Sequence, residues 1–578
     1  MRKRLSTIAI LLPILLAAGC GKDHALPRFA SPKPLPPQVA QLLRETVAVK
    51  TLPAAFKDQK ELQKAWNELR DFYQKRNFQP VWFNSRGVRS QAEELIQAIP
   101  ALGQDGLNVR RYQPQRLEAL VQEAKKIKSF DDPESQRRLV DLDAELTYTY
   151  LSLAAHLASG RLQPEKLRVE WYTKPRNVDL DARLGQALEA DSPGEIVKIL
   201  RSLTPPYPDY QRLPKALAEY RAIAARGGWA PVPPGPVLKT GARGLRVAAL
   251  RARLAATGDL PASAAAPARP SPQGAQPAAA PPPGSDLYAA AVASAVSHFQ
   301  RRHGLEVTGK VDEDTLAELN VPVADRIRQL QVNMERWRWL PATFGDRYIL
   351  VNVPEFRLDL VEAGRTALTM RVIVGKEQSR TPAFSDKMTF IELNPSWNVP
   401  DSIAKAEILP KLASDPGYLA RHNMEVVHEG GAERIRQRPG DDNPLGKIKF
   451  MFPNEFDIYL HDTPADHLFD KAERDFSHGC IRLEKPIELA AYLLKDDPKW
   501  TPEAIQAAID SGENQTINLP RPIAVHILYW TAWVEPDGTV AFRKDIYGHD
   551  DELEQALAKE PPVWLDLDLM RGDQRAAK

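Results

Sequence analysis

The sequence predicts a multidomain α+β protein: a helical scaffold, a small three-helix domain, and a β-rich domain interrupted by a helical lid insertion. Three observations predict it. The chain has 578 residues, more than one core serves, because single cores stop growing at roughly 250 to 300 residues. Apolar residues recur at helical spacing in the first half and alternate with polar ones from Tyr348 onward, so the period changes from 3.6 to 2. The chain also holds 50 prolines, many of them in a few stretches that read as linkers. Basic residues number 77 against 75 acidic, a net charge of +2, which argues against nucleic acid as a partner.

The elements follow in order. MRKR and the apolar run LSTIAILLPILLAA form a cationic and then a hydrophobic region too short for a good membrane span, an export signal over residues 1–20. Residues 21–45 contain PRFASPKPLPPQ, a Pro-rich linker. In KELQKAWNELRDFYQKRN, Leu62, Ala65, Trp66, Leu69, Phe72 and Tyr73 form a helical stripe, and similar segments carry a helical scaffold through 46–230. Residues 237–322 hold short helices with Gly-containing turns, split at 261–285 by a Pro/Ala-rich insertion with almost nothing to bury, expected as a disordered loop. YILVNVPEFRLDLVEAGRTALTMRVIVG and KIKFMFPNEFDIYLHDT alternate as strands, placing a β-rich domain at 345–500. A Pro-containing helical stretch within it, 398–440, is expected as a lid. Residues 501–578 are read as a C-terminal extension packing on that domain.

The chemistry concentrates in FDIYLH and SHGC. Period two puts Tyr459 and His461 on one face of a strand. Cys480 follows 19 positions after His461, in a Gly-containing turn ahead of a helix expected to begin at Pro486. The only other cysteine is Cys20, so Cys480 is a lone thiol where thiols tend to be oxidised or paired. A thiolate is the nucleophile, and an imidazole can take its proton and return it to a leaving amine. Gly479 allows a tight turn, so that the N–H groups of Gly479 and Cys480 can face an oxyanion. Two other readings stay open on these residues alone: a structural thiol with core histidines, and a zinc site of His461, His467, His478 and Cys480, whose spacing is not compact.

Three resemblances bear on the choice. LAAGC resembles a bacterial lipoprotein signal, although Ala17 stands where leucine is commonest; this implies lipidation of Cys20 and, with Gly21 next, a periplasmic protein anchored to the outer membrane. Phe299, Gln300, Gly304, Leu305, Thr308, Gly309, Asp312, Thr315 and Leu319 resemble the peptidoglycan-binding domain type 1 family. His461, Ser477, His478, Gly479, Cys480, Ile481 and Arg482 are similar to the motif of the YkuD-type L,D-transpeptidases, with Arg482 where many members have Asn. FYQKRNFQPVWF, NMERWRWLP, NPSWNVP and NPLGKIKF further resemble the large YcbB-like subfamily. The resemblance implies acyl transfer in the peptidoglycan cell wall. Cys480 attacks a tetrapeptide stem and releases D-alanine, and the diaminopimelate amine of another stem resolves the thioester into a 3-3 cross-link. An L,D-carboxypeptidase, or a wall-binding scaffold, is the alternative. It implies His461 as base, His478 as a supporting residue, and Tyr459, Trp397, Asn398 and Arg482 as substrate contacts. No cofactor or metal is expected, carbapenems are expected to acylate Cys480, and the partners are stem peptides, a membrane through the lipid, and peptidoglycan synthases.

Overall fold

The computed structural model describes residues 34–48, 60–189, 192–261, 286–429, 432–559, 561–565 and 567. The signal segment, Cys20 and nearly all of the Pro/Ala insertion lie outside the described residues. Among the described residues, no helix is long and apolar enough to cross a membrane.

The scaffold is helical, as its periodicity requires. Its longest helix, Pro133–Ser159, starts where the Asp132 side chain accepts the Ser135 N–H, satisfying one of the free donors of the first turn. The same helix buries Asp143, whose carboxylate accepts the Tyr73 hydroxyl and the N–H groups of Val81 and Trp82, so this buried polar group is fully used. The expected linker 21–45 needs correction. Pro37–Thr46 is a helix, and its Val39 and Leu43 are fully buried in the scaffold core. Proline at the first helical position is tolerated there because its missing N–H would be unpaired anyway. Helix Pro208–Ala225, inside the expected scaffold range, packs its Tyr210, Leu213 and Leu217 into the core of the β-rich domain instead.

The small domain has helices Leu245–Ala256, Ala290–Arg302 and Glu313–Leu319. Asp312 caps the last by accepting the Thr315 N–H at 2.9 Å, and Gly304 and Gly309 both have positive φ. The domain is docked: Arg302 donates to the Val540 carbonyl at 3.1 Å, and His303 stacks on Phe542.

The β-rich domain is a closed barrel. Its strands are β1 (Arg347–Asn352), β2 (Arg357–Glu362), β3 (Arg365–Gly375), β4 (Phe384–Leu393), β5 (Trp397–Asn398), β6 (Met424–Glu429), β7 (Ala432–Gln437), β8 (Ile448–Met451), β9 (Leu460–His461), β10 (Asp475–Ser477), β11 (Ile481–Leu483) and β12 (Gln515–Leu528). The large sheet runs β10-β3-β11-β9-β8-β4-β12-β1-β2, and pairing of β2 with β3 closes it into a barrel, with the short β10 paired on one side only. The barrel continues past the expected range 345–500. β12 lies between β4 and β1, so the C-terminal part is a barrel strand and not an extension packed outside. Its Pro520 and Pro522 obscured this; the register with β4 breaks between Asn518 and Ile523, where a proline costs no ladder bond.

The segment expected as a lid carries strands as well as helix. β5, β7 and β6 form a separate three-stranded sheet, and Val399, Ala404, Ile408 and Ile435 form a small core distinct from the barrel's.

Candidate active site

The site is built on one parallel strand pair. β9 and β11 align Leu460 with Ile481 and His461 with Arg482. Leu460 and Ile481 are fully buried in the barrel core, so alternation turns Tyr459, His461, Cys480 and Arg482 to the opposite face together. Neighbouring strands are about 4.8 Å apart, which brings the lone thiol and the expected base onto adjacent strands.

Each member is held by its surroundings. His461 is 4% exposed, and its Nδ1 donates to the Asp462 carbonyl at 2.5 Å, which leaves Nε2 as the free, proton-accepting nitrogen. Burial holds the imidazole down to about 3, and the Arg482 guanidinium adds to this; the ring is neutral at pH 7. Cys480 is half-buried, and its thiol donates to the Asp457 carbonyl at 3.8 Å. Burial pushes the thiol up, opposed by hydrogen bonds from the Tyr459 main chain and phenol and by the charges of Lys449 and Arg482. The pair therefore rests as neutral thiol and neutral imidazole. Tyr459 meets His461 edge-on at 5.7 Å between ring centroids, and the Lys449 ammonium lies 4.3 Å over its ring. Arg482 is half-buried, and its Nε has no protein hydrogen-bond partner.

The nucleophile turn differs from expectation in one respect. Gly479 has φ +116°, a conformation only glycine adopts readily. Its N–H, however, donates to Ser477 Oγ at 3.1 Å, and Ser477 Oγ donates in turn to the Cys480 carbonyl at 2.5 Å. The Gly479 N–H is thus committed within the turn and does not face an oxyanion. The Gly479 carbonyl accepts from Thr381 Oγ1 at 2.7 Å. His478 Nε2 lies 2.9 Å from Glu407 Oε1 on the lid. Trp397 packs against the lid core, and Asn398 accepts from Arg436 at 3.0 Å; both sit at the lid's root, and neither joins the four residues of the shared face. His461, His467, His478 and Cys480 do not form a ligand cluster; among the described residues no group of three or more His, Cys, Asp or Glu is arranged to hold a metal ion.

Two residues that sequence reasoning missed shape the site. Asn454 donates to the Phe452 and Ile458 carbonyls at 2.6 and 2.7 Å and accepts the Phe456 and Ile458 N–H groups, folding the loop that presents Asp457 at φ +54°. Thr381 is 2% exposed and ties Gly375 to Gly479. Asn454 was visible only as a turn-forming residue in FPNEF; Thr381 carried no local signal.

Residues 346–501 match the model of the L,D-transpeptidase catalytic domain. The chain carries an L,D-transpeptidase catalytic domain. Residues 243–319 match the family described as "Putative peptidoglycan binding domain", and 67–217 match a scaffold domain. A curated protein of Haemophilus influenzae named "Putative L,D-transpeptidase" is 33% identical over 246 residues, 40% of this chain and 49% of its own length; the chain spans about half of that relative. Among solved structures, an L,D-transpeptidase from Mycobacterium smegmatis is 15% identical over 32% of this chain and 58% of its own, with a TM-score of 0.17. One from Stackebrandtia nassauensis is 12% identical over 50% and 94%, with a TM-score of 0.18.

Proposed function

We propose that this is an exported protein whose transpeptidase domain performs cysteine acyl transfer on peptidoglycan stems of the cell wall. The observation that carries the reading is the shared outer face of β9 and β11, which holds His461 and Cys480 over a packed barrel wall. The thiol rotates from the Asp457 carbonyl toward His461 Nε2, which takes its proton as sulfur attacks the carbonyl of the third residue of a tetrapeptide stem. The Asp462 carbonyl keeps the imidazole in the required tautomer. The Cys480 N–H is the turn's donor for the oxyanion, since the Gly479 N–H is engaged by Ser477. As the tetrahedral intermediate collapses, the C–N bond breaks, His461 returns the proton to the departing amine, and D-alanine leaves behind a thioester on Cys480.

A diaminopimelate side-chain amine of a second stem then attacks the thioester, His461 accepts its proton, and a 3-3 cross-link forms with the thiol restored. Tyr459 and Arg482 border the reacting sulfur, and their charge and hydrogen bonds favour the thiolate. Carbapenems acylate the same sulfur. Lipidation of Cys20, outer-membrane anchoring and contact with peptidoglycan synthases belong to the same reading, as does stem or glycan binding by residues 243–319. Mass spectrometry of muropeptides after purified protein meets disaccharide tetrapeptides tests it. Cross-linked dimers are expected; tripeptides without dimers mean a carboxypeptidase, and unchanged tetrapeptides contradict acyl transfer.

A further inference from the structure

The acyl-transfer reading uses His461 and leaves His478 without a part in the chemistry, although His478 stands in the nucleophile turn and holds a carboxylate. That carboxylate belongs to Glu407, in the single π-helical turn Ala404–Ile408 of the lid. Such turns are rare and occur often at functional sites. A carboxylate only accepts hydrogen bonds, so His478 Nε2, 2.9 Å from Glu407 Oε1, is the donor. The Lys376 ammonium lies 3.5 Å from the same Nε2. Glu407 thus bonds His478, while the Lys376 ammonium adjoins the same imidazole nitrogen and makes no ion pair with the lid's carboxylate.

Both donors are fixed to the barrel. The Lys376 N–H donates to the Ser477 carbonyl at 3.0 Å, and His478 is held between buried Ser477 and Gly479. The carboxylate, by contrast, is on the movable side. Among the described residues, this is the one hydrogen bond that joins lid residues 401–429 to anything outside 397–440.

We propose that Lys376 and His478 form a subsite for the free terminal carboxylate of the donor stem, and that Glu407 occupies this subsite when the lid is down. The proposal rests on the acyl-transfer reading above. A donor whose scissile bond precedes its last residue carries a carboxylate one residue beyond the carbonyl that Cys480 attacks, and His478 lies two positions from Cys480 in the turn. Opening the lid exchanges one carboxylate for another on His478, and the stem's carboxylate gains the pairing with Lys376 that Glu407 does not make. A stem ending in an amide has no such group, and the subsite discriminates against it.

The test uses the full chain with Cys480→Ala and two synthetic tetrapeptide stems that differ only in a terminal carboxylate or carboxamide, with affinities measured by calorimetry. The carboxylate stem is expected to bind about tenfold tighter, the scale of one charge-assisted hydrogen bond. Lys376→Gln removes that preference. Glu407→Gln tightens binding of the carboxylate stem severalfold and leaves the amide stem unchanged, a selective gain that a folding defect does not produce. Equal affinity for the two stems, or equal effects of Glu407→Gln on both, overturns the subsite. If unsubstituted protein releases D-alanine while the two stems bind equally, acyl transfer stands and the subsite falls. If it releases none, both fall.

Discussion

The barrel and the lid bury their apolar residues in two separate clusters, and the clusters differ in scale. The barrel's is continuous with helix Pro208–Ala225 and with the C-terminal residues Tyr529, Trp530 and Phe542, while the lid's buried part is Val399, Ala404, Ile408 and Ile435. The difference teaches where rigidity is needed. His461 and Cys480 stand on the large cluster, which fixes their strands. Glu407 stands on the small one, which can open without disturbing those strands.

The largest expected effect tests the rigid side. His461→Gln keeps the shape of the face but removes the base, and acylation by a tetrapeptide stem should slow about 10²- to 10⁴-fold with the melting temperature unchanged; a loss under tenfold in stopped-flow acylation breaks the assignment. Next comes a matched pair. Ile391 is fully buried in the barrel and Ile408 is 3% exposed in the lid. Ile391→Ala should cost about 2 to 5 kcal/mol of global stability in urea unfolding. Ile408→Ala should leave the main transition in place and speed hydrogen exchange over 399–437 alone. Equal shifts for both would mean that lid and barrel unfold as one.

Acid sharpens the same contrast. Burial holds His461, His526 and His549 down to about 3, 4 and 3, against about 6.5 in an unfolded chain. Their contribution to stability is present above pH 6.5 and is lost as pH falls from 6.5 toward 3, because the unfolded state then binds more protons. The melting temperature should fall over that window, and a flat profile would contradict the neutral, buried histidines. The smallest effect is on catalysis itself: kcat/KM should be nearly flat from pH 5 to 8, with no step near 6.5, since His461 is already neutral there.

The sequence made the local parts of this site legible. Alternation in FDIYLH put Tyr459 and His461 on one face, and the helix beginning at Pro486 and the Asp312 cap were readable from their residue types. What it hid was nonlocal or masked by proline. β12 was read as an extension because Pro520 and Pro522 interrupt its pattern, and helix Pro37–Thr46 was read as linker because prolines crowd its start. The use of the Gly479 N–H by Ser477 depends on a turn geometry that composition does not specify. The meeting of Lys376, Glu407 and His478 joins positions far apart in the chain, and no short-range pattern announces it.

The most direct test of the central claim, that Cys480 is the nucleophile and His461 its base, is intact-protein mass spectrometry after exposure to a carbapenem. The account predicts one added drug mass on the unsubstituted chain, mapped to the peptide bearing Cys480, none on Cys480→Ala, and slow, partial addition on His461→Gln. Equal labelling of the unsubstituted chain and Cys480→Ala would contradict it.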